Sequence, residues 1–212
     1  MKPQDVRTFF AALAAERPDP KTELDFVNDY TLLVAVVLSA QATDAGVNRA
    51  TANLFAEVQD PAAMVALGEE GLKRHIRTIG LYNSKAKNVI ALSEILLAEH
   101  DGLVPRTRAE LQALPGVGRK TANVVLNEAF GEATLAVDTH VFRVANRTGL
   151  APGKTVEAVE TRLMQVVPQD YLLGAHHWLI LHGRHLCKAR KPECYRCPVV
   201  DICAFDAKNM ES

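Results

Sequence analysis

A lysine, an aspartate and four cysteines carry most of the chemistry legible in this sequence of 212 residues. Lys120 directly follows Leu114-Pro115-Gly116-Val117-Gly118-Arg119. Pro115 bars a preceding helix from continuing, and Gly116 and Gly118 can take the positive φ of a tight turn in which a Cβ would clash. The turn therefore presents bare backbone. With the N–H groups and positive dipole end of the helix that follows, it forms an anion seat suited to a free phosphate or to a phosphate of a DNA backbone. An ammonium at that helix end opposes the dipole and has Arg119 beside it, so its charged form is disfavoured and Lys120 becomes a candidate nucleophile. The competing reading is a lysine that only neutralises a phosphate.

Asp138 stands eighteen residues further on, in Leu135-Ala136-Val137-Asp138-Thr139-His140, where a short apolar segment gives way to a new helix. Its carboxylate is suited to capping that helix. A carboxylate near an amine nucleophile also orients it, stabilises a cation or carries a proton, and these roles are compatible with capping. The four cysteines fall in the last 26 residues as Cys187-x6-Cys194-x2-Cys197-x5-Cys203. Structural zinc usually takes two close pairs, whereas only one C-x-x-C occurs here, so a [4Fe–4S] cluster wrapped by one loop accounts better for the spacing. Arg184, Lys188, Arg190, Lys191 and Arg196 surround these ligands against Glu193 and Asp201. They predict a local basic face in a chain whose formal net charge is only −1.

The elements that must position these groups read as helices throughout. Val6, Phe9, Phe10 and Leu13 form an amphipathic stripe that Pro18 and Pro20 stop. A helix over 30–40, apolar on every side and capped by Asn28 or Asp29, is the expected centre of a domain. Asp44 is expected to cap the next helix, Asp60-Pro61 opens a short one, and 69–79 forms another. A helix over 84–99 follows. Its start, Lys85-Ala-Lys-Asn88-Val89, is weakly like Lys120-Thr-Ala-Asn123-Val124 and suggests two related hairpins. Thr107-Arg108-Ala109-Glu110 is a capping box leading into the glycine turn, and helices are predicted over 121–130, 141–148, 155–167 and 171–182. The one strand-like piece, 133–137, cannot form a sheet alone. The fold class is all-α. His176, His177, His182 and His185 read as core or surface histidines rather than metal ligands.

Composition narrows the setting. The longest apolar run, 32–38, falls well short of the roughly 20 residues that span a bilayer, so no membrane span is expected. Few cysteines and no N-terminal signal segment point to a reducing, cytoplasmic compartment.

Taken together, the glycine turn, Lys120, Asp138 and the cysteine tail resemble the endonuclease III family of helix–hairpin–helix DNA glycosylases. The likeness runs from Ser39-Ala-Gln-Ala-Thr-Asp44 through Gly80-Leu-Tyr-Asn-Ser-Lys85 and the hairpin to Val137-Asp-Thr-His140 and the cysteines. It implies a six-helix domain over 22–132 and a second domain from 1–21 plus 133–212, with the cluster loop at 187–203 and DNA held in the cleft between the domains. It also implies a monomeric bifunctional glycosylase and AP lyase acting on double-stranded DNA with oxidised or saturated pyrimidines or abasic sites. Lys120 and Asp138 would be catalytic. Gln41 and Leu81 would fill the gap left by the extruded nucleotide, and Gly116, Val117, Gly118, Arg119 and His140 would contact DNA. A monofunctional glycosylase of the same superfamily lacks this lysine. A non-catalytic DNA-structure binder or iron–sulfur redox protein has no use for the Lys/Asp pair.

Overall fold

Proline, glycine and capping residues divide the chain into a succession of helices. The computed structural model describes residues 1–211. Among them ten α-helices form: α1 (Pro3–Glu16), α2 (Asp29–Leu38), α3 (Asp44–Glu57), α4 (Pro61–Ile76), α5 (Tyr82–Glu99), α6 (Arg108–Ala113), α7 (Arg119–Phe130), α8 (Thr139–Arg147), α9 (Val156–Val166) and α10 (Gln169–His185). Two single 3₁₀ turns, Cys194–Arg196 and Val200–Ile202, lie in the cysteine tail. No strand forms among the described residues, and the apolar segment 133–137 links α7 to α8 without joining a sheet. The chain divides into two units, Glu23–Gly131 and Met1–Thr22 with Glu132–Ser212.

In the unit Glu23–Gly131, α2 is buried from Tyr30 to Leu38 because it has no polar face to turn outward. Its start is held reciprocally: the Asn28 side chain accepts from Thr31 N–H at 3.0 Å, and the Thr31 hydroxyl accepts from Asn28 N–H at 2.9 Å. Around α2 pack α3, α5 and α7, while α4 lies along α5. Besides shifts of a few residues at several helix ends, two features differ from the sequence reading. Thr43, not Asp44, caps α3, its hydroxyl accepting from Gly46 N–H at 3.1 Å; either residue type can cap, and the threonine lies one residue closer to the turn. The helices expected from Pro61 and over 69–79 run together as α4, broken only at Gly68 (φ 72), and α4 stops at Ile76. Ile79 stays buried beyond that end because a turn, not the helix, carries it inward.

The other unit is built on α1 and α10. The predicted stripe Val6, Phe9, Phe10 and Leu13 is buried, and Phe10 stacks on Tyr171 at 6.0 Å between ring centroids. Trp178 packs beside both, and its indole N–H donates to Arg17 O at 2.8 Å, so the end of α1 and the middle of α10 are tied together. Burial of side chains this large stabilises by about 1.5–3 kcal/mol each. α8 packs against both α9 and α10, which carries Asp138 at its start and leads α10 into the cysteines.

Candidate active site and cysteine cavity

The hairpin around Gly116 is closed by short turns. α6 ends before Pro115, Leu114 N–H returns to Leu111 O at 3.1 Å, and Val117 N–H returns to Leu114 O at 3.1 Å. Gly116 takes φ 80, and a Cβ there would lie 3.0 Å from Asn88 Nδ2 and 3.3 Å from Val37 Cγ1, so backbone conformation and close packing both require glycine. Gly118 does not use the positive φ expected of it. It is the N-cap of α7 at φ −89 with no side-chain cap, and a Cβ on it would meet nothing within 4 Å. Its contribution is bareness rather than conformation. Val117 is buried and anchors the turn, while Gly116, Gly118 and Arg119 are exposed. α7 begins at Arg119, which makes Lys120 its second residue, partly exposed at an uncapped helix start.

Residues 76–85 repeat this hairpin 35 positions earlier. Ile79 N–H returns to Ile76 O at 2.9 Å, the counterpart of Leu114 to Leu111, and both Ile76 and Leu111 are fully buried. The counterpart of Gly116 is Leu81, also left-handed at φ 61 and 59% exposed. Left-handed backbone costs a non-glycine residue about 1–2 kcal/mol, so an apolar side chain is held outward there at some cost. Gln41, exposed at φ 55, is a second such residue. Its carbonyl lies 4.0 Å from where a Cβ on Gly80 would stand, so the loops of Gln41 and Leu81 are neighbours. The counterpart of Lys120 is Lys85, as the likeness of the two segments implies. It is buried, its Nζ has no hydrogen-bond partner, and burial lowers its pKa.

Asp138 caps α8 as expected. One carboxylate oxygen accepts from His140 N–H at 2.9 Å and Val141 N–H at 2.8 Å, and the other lies 3.1 Å from His140 Nδ1. Burial alone would raise its pKa. The Val141 amide, the His140 side chain and the charge of His176 outweigh that effect and hold the carboxyl below its ordinary range. His176 is itself buried, its Nδ1 2.9 Å from Ala136 O. Asp138 is thus a pre-oriented anion with histidines on two sides. The apolar context of His176 gave no sequence signal for this role.

Cys187, Cys194, Cys197 and Cys203 are free thiols lining one cavity, partly open to solvent. Burial first, and then the neighbouring Cys203, Cys187 and Cys194, push the Cys197 thiol up to about 11; Cys203 is raised by burial, Cys187 and Cys194. Cys197 and Cys203, whose ionisation is opposed by burial and by the thiols beside them, call for a cationic guest. No three His, Cys, Asp or Glu side chains among the described residues converge as a single ion requires. Four thiols around one cavity are a donor set that fits the iron–sulfur cluster implied by the cysteine spacing. Arg143 braces the cavity from α8, donating to Cys187 O at 3.0 Å and Gly183 O at 2.8 Å. The predicted basic face is smaller than its sequence count, because Glu193 pairs with both Lys188 and Arg196.

Residues 34–169 match the HhH-GPD superfamily of base excision DNA repair proteins. The chain is 59% identical to endonuclease III of Escherichia coli K12 over 92% of its own length and 93% of that protein's, and 58% identical to endonuclease III of Rickettsia conorii over 97% and 98%. Its fold is similar to that of endonuclease III solved in a non-covalent DNA complex and as a trapped covalent DNA intermediate, each with a TM-score of 0.90 at 44% identity over 96% of both chains. The chain belongs to the HhH-GPD superfamily of base excision repair proteins and, within it, to the endonuclease III family. It is accordingly a DNA glycosylase and AP lyase of base excision repair.

Proposed function

We propose that the chain removes oxidised or saturated pyrimidines from double-stranded DNA and cuts the strand 3′ to the resulting abasic site, with Lys120 as nucleophile and Asp138 as its acid–base partner. The observation that carries this reading is the placement of Lys120, a partly exposed amine on the second residue of an uncapped helix, behind a turn of exposed backbone. Gly116, Val117, Gly118 and Arg119 would hold a backbone phosphate through main-chain N–H groups and the helix end, and His140 would contact the same strand. Gln41 and Leu81, exposed and held in left-handed turns, would occupy the space of the nucleotide rotated out of the stack.

With the nucleotide extruded, the Lys120 nitrogen bonds to C1′, the glycosidic bond breaks, and the base departs with its electron pair and takes up a proton. Opening of the sugar ring gives a Schiff base, which acidifies C2′. Loss of that proton expels the 3′ phosphate by β-elimination, and water then releases Lys120. Asp138 assists these proton movements and stabilises the cation. Cys187, Cys194, Cys197 and Cys203 would hold a [4Fe–4S] cluster, whose contribution when bound is to order the tail, and no step passes through it. The enzyme would work as a cytoplasmic monomer; no helix among the described residues is long and apolar enough to cross a membrane. The test is strand nicking on an abasic duplex together with base release from a duplex containing an oxidised pyrimidine. Both are expected. Base release without nicking would leave a monofunctional glycosylase, and binding without either would leave a DNA-structure binder.

A further inference from the structure

His182 lies on α10, fifteen residues before Cys197, and its side chain takes no part in the reaction above. The residue is 5% exposed, and its ring is set edge-on to Phe9 with centroids 6.1 Å apart, so its orientation is fixed by packing. Nε2 stands 3.8 Å from Cys197 Sγ, and Nδ1 is buried with no hydrogen-bond partner. A proton on Nδ1 would be a buried donor without an acceptor, and it would turn the bare Nε2 lone pair toward sulfur. A proton on Nε2 leaves only an unpaired acceptor at Nδ1, and buried orphan N–H groups are the rarer fault in proteins. The tautomer with Nε2–H aimed at the sulfur is therefore the favourable one.

We infer that His182 is a positioning residue for the cysteine-bound cluster, its neutral imidazole donating Nε2–H to the Cys197 thiolate and thereby raising the cluster's reduction potential. This rests on the [4Fe–4S] reading of the tail. A donor to a ligating thiolate withdraws electron density from the iron and stabilises the more negative, reduced state, and hydrogen bonds to sulfur are among the protein's means of setting such potentials. The low dielectric around a buried ring strengthens the effect. Arg147 is a contrasting case. Its Nη1 lies 3.6 Å from Cys187 Sγ, but the same atom donates to Lys188 O at 2.7 Å and Nη2 donates to Ala189 O at 3.2 Å, so it braces the loop backbone. The polar contact of the His182 side chain is to sulfur, with no backbone carbonyl sharing its Nε2.

The experiment compares the full-length protein with His182→Leu and His182→Gln by iron and sulfide content, protein-film voltammetry and resonance Raman spectroscopy. With a full complement of iron, His182→Leu is expected to show a more negative potential and a higher Fe–S(Cys) stretching frequency. His182→Gln, which keeps an N–H donor, is expected to lie between it and the parent. A His182→Leu protein with an intact cluster at the parent potential and frequency would overturn the inference. If that variant loses its cluster, the parent protein labelled with ¹⁵N only in histidine decides the matter: in a paramagnetic cluster state, one histidine nitrogen should couple to the electron spin, and no coupling overturns the assignment. A parent protein containing zinc and no iron is a separate result, which removes the cluster reading itself and this inference with it.

Discussion

The turn at 76–85 and the turn at 111–120 close with the same hydrogen bond, Ile79 N–H to Ile76 O in one and Leu114 N–H to Leu111 O in the other, and two positions later each places a left-handed residue. At that point they part. Gly116 has no side chain, so its backbone is exposed; Leu81 projects an exposed apolar group from equivalent backbone. The lysines differ in the same way. Three helical residues precede Lys85 in α5 and one precedes Lys120 in α7, so Lys85 sits deeper, at the head of the inward stripe Val89, Leu92 and Leu96, while Lys120 stays at the helix mouth. A shared hairpin backbone does not determine chemistry. In the proposed reaction, the residue at the left-handed position and the depth of the lysine do.

The strongest challenge to this contrast is Gly116→Ala. A Cβ would meet Asn88 and Val37 at 3.0–3.3 Å on a backbone at φ 80, so a loss of about 1–3 kcal/mol is expected in urea unfolding, with weaker DNA binding. Unchanged stability would mean that the turn relaxes freely and that glycine is not required. Smaller is the effect of Lys85→Met. Burial lowers the folded-state pKa of Lys85, so the unfolded chain holds that proton more tightly and the parent gains stability as pH rises from the lowered value toward the ordinary lysine value of about 10.4. The variant is therefore expected to be as stable as the parent or up to ~1 kcal/mol more stable at neutral pH, with the gap closing as pH rises. A large loss on substitution would reveal a partner that stabilises the ammonium. The smallest change in stability belongs to Leu81→Gly, because relief of left-handed strain and the added freedom of the unfolded chain nearly cancel, to within ~0.5 kcal/mol. Its cost should fall on excision from damaged duplex while binding to undamaged duplex holds. Equal losses on both would count against a gap-filling role.

Local signals made much of this legible in the sequence. Asp138 was identifiable as a cap because capping depends on the residue and its two or three successors, and Asp60-Pro61 for the same reason. The likeness between Lys85–Val89 and Lys120–Val124 points to a second hairpin. Features set by distant packing were not legible. Nothing around Lys85 marks it as buried, since a lysine on an inward stripe looks like any helical lysine. His176 beside Asp138 and His182 against Cys197 are both brought in by α10, and spacing along the chain carries no trace of either contact. The pairing of Glu193 with Lys188 and Arg196 depends on the fold of the cysteine loop, so a count of its charges overstated the basic face.

Lys120, and not its counterpart Lys85, is the residue proposed to form the covalent bond to DNA. Borohydride added during reaction on an abasic duplex reduces a Schiff base and fixes the protein to the strand. The parent protein and Lys85→Met should both give this adduct, Asp138→Asn should give it slowly, and Lys120→Gln should bind the duplex and give none. An adduct from Lys120→Gln at the parent rate, or its loss in a folded Lys85→Met protein, would place the nucleophile elsewhere and contradict the division of roles between the two hairpins.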